Sequence, residues 1–209
     1  MNMQIVRNDE TRAVGIRSAR DVLLLGLESG RHSLLETIAD VSDGEYEWEP
    51  LSIAEQVIDR RLPPQQKRVW RLFQQNGAWT YDYTPEPLDP CPFTTIAWIM
   101  NHVAQTADMY LYCLKTGKPE GLDRRWEDLP VPSSVGAMSS YIDRVLTEVR
   151  EYLLSLPEGT AQSELNKPAP APWGEMRPTY MNIWGGVIEH VIQHSIQIAA
   201  RKDRIRYGW

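Results

Sequence analysis

The 209 residues carry 22 Lys and Arg against 28 Asp and Glu, a net charge of −6 with a pI near 5.3; this is the opposite of the cationic footprint a phosphate backbone demands, so nucleic acid is not an expected partner. Only two cysteines occur, Cys91 and Cys113, which excludes a disulfide framework or a zinc site built from several thiolates and fits a reducing compartment. Charges at Arg7, Asp9, Glu10, Arg12, Arg17 and Arg20 leave no room for a signal peptide, and no apolar run is long enough to span a bilayer, so the expectation is one cytoplasmic domain over 1–209 with no membrane partner.

The 15 prolines cluster, leaving four long proline-free windows in which helices can form: 1–49, 93–118, 133–156 and 179–209. In the first, Val22, Leu25, Ser29, His32, Leu35 and Ile38 recur at three- and four-residue steps, widened by Leu24, Leu27 and Leu34. That pattern predicts a helix from Arg17 to Ala39, stopped by Asp40 to Gly44. From Arg60 to Pro92 the pattern is mixed. Gln65 to Gln75 reads as a short helix packing Val69, Trp70, Leu72 and Phe73, and Ala78 to Tyr83 as a short strand or extended lid. The density of aromatics here, Trp70, Phe73, Trp79, Tyr81 and Tyr83, favours packing over disorder.

The second helix is expected to start at Thr94 or Thr95, to run through Ile96, Ile99, Val103, Ala107, Tyr110 and Leu114, and to close at Gly117. A third starts at Ser133 or Ser134, carries Met138, Tyr141, Ile142, Val145, Val149, Tyr152 and Leu153, and ends at Leu156 before Pro157, with Asp143, Arg144, Glu148 and Arg150 on its outer face. Asn166 to Pro178, where Pro168, Pro170 and Pro172 alternate with alanine, reads as a stiff connection. In the last helix Ile183, Val187, Val191 and Ile198 form the apolar stripe, and Arg201, Lys202 and Arg204 sit where a helix C-terminus welcomes positive charge. Four amphipathic helices with no convincing sheet predict an all-α four-helix bundle, with the aromatic-rich segment 60–92 inserted between the first and second.

His190 and His194 lie one turn apart in the last helix, a spacing that puts two imidazoles on one face. They continue the line of Val187, Val191 and Ile198, so both rings point into the core, where each needs a hydrogen-bond partner or a shared ion. His102 sits on the apolar side of the second helix. Three neutral nitrogens without a thiolate select zinc or nickel before other metals and leave a coordination position open. A non-haem iron triad would want a carboxylate, yet Glu189 points about 100° away from His190. Cys113 shares the face of His102 roughly 16 Å further along the axis, too far for the same ion. His32 is read as a core or rim residue.

Two stretches, Thr94-Thr95-Ile96-Ala97-Trp98-Ile99-Met100-Asn101-His102-Val103 and Gly186-Val187-Ile188-Glu189-His190-Val191-Ile192-Gln193-His194-Ser195-Ile196-Gln197-Ile198, resemble the DinB-like (YfiT-like) metalloenzyme superfamily. The leucine-rich first helix, ending in Ala39-Asp40-Val41-Ser42-Asp43 and followed by Trp48-Glu49-Pro50, also resembles that family. The resemblance implies a four-helix bundle, commonly dimeric, that holds a metal on one histidine of the second helix and two of the last, here His102, His190 and His194. It further implies a thiol-dependent S-transferase or isomerase acting on a small-molecule substrate with a low-molecular-weight thiol such as bacillithiol or mycothiol, in a homodimer.

An open metal position lowers the pKa of a thiol or water that binds there. The alternatives are therefore a metal-assisted hydrolase, for which Glu189 is a poor base, and a non-catalytic, stress-associated metal-binding dimer. Around the ligands, Trp98, Gly185 and Gly186 are candidate pocket residues or simply helix packing, and Tyr110 and Gln197 are candidate supporting or proton-shuttling groups.

Overall fold

The computed structural model describes residues 18–84, 87–118, 125–157, 165–170 and 179–208. Most of them are helical. The long helices are α1 (Ala19–Ile38), α4 (Ile96–Thr116), α5 (Val135–Ser155) and α6 (Tyr180–Tyr207), and two short ones, α2 (Asp43–Tyr46) and α3 (Ile53–Asp59), follow α1. Their ends follow local chemistry. Ser18, Ser42, Ser52 and Thr179 each close a capping box, Thr95 and Ser134 accept the backbone N–H three residues on, and Gly117 and Gly208 end α4 and α6 in the left-handed conformation.

The four long helices touch in the cyclic order α1–α6–α4–α5–α1, enclosing Leu27, Leu34, Ile99, Met100, Met138, Ile142, Leu146 and Trp184. Each such side chain stabilises the fold by about 1.5–3 kcal/mol through removal from water. The buried face of α1 is rotated from the expected one. Leu27, Leu34 and Ile38 are buried as expected and Leu23 and Gly30 join them, whereas Val22 and Leu25 are more than half exposed. Glycine explains the rotation: a Cβ on Gly30 would stand 3.1 Å from Ile192 Cγ1, and one on Gly26 3.3 Å from Ile188 Cγ2, so α1 approaches α6 along its glycines. Lys202, placed by the sequence at a favourable helix end, is instead buried, donating to Thr37 O at 2.7 Å and pairing with Asp40.

The segment 60–92 also departs from expectation. The helix read into Gln65 to Gln75 is absent. A single 3₁₀ turn at Pro64–Gln66 is followed by four short strands: β1 (Val69–Trp70), β2 (Leu72–Gln75), β3 (Ala78–Tyr81) and β4 (Phe93–Thr94). β2 and β3 form an antiparallel hairpin, with Leu72 opposite Tyr81 and Gln75 opposite Ala78. Asn76 and Gly77, both at positive φ, turn it. β1 and β4 pair in parallel, bringing both ends of the segment side by side at the start of α4.

Charge anchors this segment from within. The Arg71 guanidinium, 4% exposed, lies 2.9 Å from Glu49 and 2.7 Å from Asp59. Asp82, 1% exposed, pairs with Lys67 and accepts the Arg71 N–H at 3.1 Å. Of the connection read into Asn166 to Pro178, residues 171–178 lie outside the described residues; Pro168 is bridged to Thr179. The first 17 residues, which carry most of the charges that argued against a signal peptide, also lie outside them. Among the described residues no helix is long and apolar enough to cross a membrane.

Candidate metal centre

His102 comes from the middle of α4, His190 and His194 from successive turns of α6, and the packing of α4 on α6 brings the three together. The ring centroids are 4.7 Å apart for His102 and His190, 5.1 Å for His102 and His194, and 4.2 Å for His190 and His194. One nitrogen from each ring lies within 4.8 Å of the others, a cluster that could hold a metal ion.

Burial pushes all three pKa values below the ordinary histidine range, and neighbouring rings add to the effect on two of them. His102 falls to about 3 and His190 to about 2, so near neutral pH the rings are uncharged, with lone pairs free to coordinate. Among the described residues His190 Nε2 is buried without a hydrogen-bond partner, a cost of about 1–3 kcal/mol that a bound cation would remove. The donor set therefore fits a borderline divalent ion.

The neighbours refine the sequence reading. Trp98 stacks on His102, with centroids 4.9 Å apart and planes at 22°. Its indole N–H donates to Asp82 O at 2.7 Å, and the Trp70 ring packs against it with centroids 5.4 Å apart. The segment 60–92 thus reaches the cluster through a continuous run of aromatic contacts, from His102 to Trp98, Trp70 and Tyr83. Gln197 contacts the cluster directly: its Oε1 lies 2.7 Å from His194 Nδ1. Gly186 serves packing, since a Cβ there would lie 3.2 Å from the Tyr110 hydroxyl, while Gly185 faces open space. Burial raises the Tyr110 phenol to about 12, so it keeps its proton.

Other candidates lie elsewhere. His32 is not in the core; it is exposed on α1, 3.3 Å from Glu36. Cys113 is buried outside the cluster and Cys91 is exposed. Glu189 is exposed and accepts from Gln193 at 2.7 Å, and among the described residues no carboxylate joins the three histidines. A cavity of about 540 Å³ opens beside the hairpin, lined in part by Tyr46, Glu49, Arg71, Phe73 and Trp79, and none of the histidines borders it. The buried charges Glu49, Asp59, Lys67, Arg71 and Asp82, which tie the aromatic segment down, were not singled out from sequence. Nothing in the periodicity marks them, because each finds its partner only through the fold.

Comparison with known proteins bears on the family and the fold. A family model described as the DinB superfamily matches residues 27–198. The crystal structure of a conserved protein from Enterococcus faecalis superposes with a TM-score of 0.53, covering 92% of this chain and 99% of its own at 16% identity, a likeness of fold alone. No curated protein matches the sequence.

Proposed function

The chain belongs to the DinB superfamily, and from that premise we propose that it is a metal-dependent enzyme, a thiol-dependent S-transferase or isomerase, holding zinc or nickel on His102, His190 and His194. We read the four long helices as a four-helix bundle forming one cytoplasmic domain over 1–209, paired as a homodimer, with 60–92 as an inserted lid. Its substrate is a small molecule, with a low-molecular-weight thiol as cosubstrate.

The observation that carries the metal reading is the meeting of three imidazoles from two helices, with one buried nitrogen, His190 Nε2, that has no hydrogen-bond partner among the described residues. A divalent cation held there would supply a Lewis acid that lowers the pKa of a bound thiol or water. The chain's own residues do the rest. Trp98 covers one face of His102 and keeps bulk water from it, and Gln197 contacts His194 at Nδ1. Transfer from a thiol is favoured over hydrolysis because Glu189, the carboxylate adjoining His190 in sequence, is turned to Gln193 and solvent, leaving no base beside the cluster among the described residues.

The test is elemental analysis of the purified protein beside His102→Ala, His190→Ala and His194→Ala, followed by assay of the loaded protein with an electrophile in the presence and absence of bacillithiol or mycothiol. The expected result is close to one metal per chain, lost from each variant with the helical circular-dichroism signal retained, and turnover only with thiol. Absence of metal from the wild type under metal-replete expression refutes the metal reading, and turnover without thiol refutes the transferase reading.

A further inference from the structure

We propose that Gln197 is a positioning residue: it fixes the tautomer of His194, so that the ring carries its proton on Nδ1 and turns a bare Nε2 toward His102 and His190. The inference rests on reading the three histidines as a metal site, and it concerns what prepares that site before any ion arrives.

The contact is short and its direction is set by chemistry. Gln197 Oε1 lies 2.7 Å from His194 Nδ1, and a carbonyl oxygen only accepts, so the nitrogen facing it must bear the hydrogen. A neutral imidazole has one N–H; placing it on Nδ1 leaves the lone pair on Nε2. Metal-bound histidines commonly donate their second nitrogen to an acceptor that holds the ring in this way. An amide does so without adding charge.

The helix also contains its own comparison. The sequence repeats a histidine followed three residues later by a glutamine, as His190 with Gln193 and His194 with Gln197, and this spacing allows contact on a helix. The two glutamines are used differently. Gln193 Nε2 donates to Glu189 Oε1 at 2.7 Å, so among the described residues only the second pair forms the histidine contact. Gln193 is therefore a matched control: same residue type, same helix, same offset, no assigned role at the cluster. Gln197 is itself exposed, so its replacement disturbs no core packing.

The experiment is two-bond ¹⁵N–¹H correlation of the histidine rings in the metal-free protein at pH 7, with zinc affinity measured against a chromophoric chelator. In the wild type His194 should be the Nδ1–H tautomer. Gln197→Leu should convert it to a mixture or to the Nε2–H form and weaken zinc binding about 10- to 100-fold. Gln197→Glu should restore the tautomer and most of the affinity, and Gln193→Leu should change neither. An Nε2–H tautomer in the wild type, or wild-type affinity in Gln197→Leu, overturns the proposal. If the wild type binds no zinc, the tautomer spectra still decide the role of Gln197, so failure of the metal reading and failure of this one give different results.

Discussion

Replacing Arg71 with methionine tests whether the buried ion cluster holds the aromatic segment in place. The guanidinium Nη2 lies 2.9 Å from Glu49 Oε2 and 2.7 Å from Asp59 Oδ2, and none of the three side chains is more than 5% exposed. Charges about 4 Å apart attract by about 4 kcal/mol at an effective dielectric of 20. Withdrawing each ion from water costs several kcal/mol, so the intact set comes out near neutral. Removing the cation alone forfeits the attraction and strands two desolvated carboxylates. Arg60, 2.8 Å from Glu49, and the Arg68 N–H, 2.7 Å from Asp59, offset part of that penalty. The expected loss is about 3 kcal/mol, the low end for breaking a buried pair. The triple variant Glu49→Gln, Asp59→Asn, Arg71→Met strands no charge and keeps an acceptor for the Arg68 N–H, so it should be less damaging than the single change. Urea unfolding followed by circular dichroism, with the slopes compared, measures both. A loss below about 1 kcal/mol in Arg71→Met, or a triple variant less stable than the single one, would refute this account.

The metal-free protein should lose stability as the pH falls from 7 to 5. His102 and His190 are held at about 3 and 2 when folded and return to about 6.5 when unfolded, so in this window the unfolded state binds more protons. Stability contributed by the folded rings is complete above the unfolded value and falls below it, by about 2 kcal/mol per ring at pH 5. Asp40 and Glu45, held at about 2 by hydrogen bonds to Lys202 and Arg206 in the first case and to Arg206 in the second, act only below about pH 4.5. Urea midpoints that stay flat between pH 7 and 5 would contradict the assignment. Glycine substitutions should divide by conformation. Gly77→Ala, at φ 81° in the hairpin turn, should cost about 1 kcal/mol, and Gly136→Ala, in α5 with open space around it, should gain up to about 1 kcal/mol. Thermal melts yielding the same sign for both would refute that division.

The long helices were legible because their limits are written locally. Thr95 and Ser134 cap starts, Gly117 caps an end, and prolines bound the windows. The histidine cluster was legible because His190 and His194 repeat at helical spacing on an apolar stripe, and His102 lies on another. The inward face of α1 was not: two apolar stripes compete within Val22 to Ile38, and the choice is made by the close approach of Gly26 and Gly30 to α6, a fact of the partner helix. Short apolar runs such as Val69 to Phe73 fit helix or strand equally. The dipeptide Asn76-Gly77, a strong hairpin signal between two such runs, is what separates the readings. The charges inside the segment were opaque for a different reason. Lys67, Arg71 and Asp82 look like surface residues until Glu49 and Asp59 close around Arg71.

The stacking of Trp98 on His102 has an optical consequence. An indole 4.9 Å from an imidazole is an emitter in van der Waals contact with one of the three rings, so any open-shell ion seated among those nitrogens lies close enough to extinguish its fluorescence, whereas a closed-shell ion dims it far less. Loss of the share of emission that comes from Trp98, one of eight tryptophans, would therefore tell nickel from zinc at these histidines without a label.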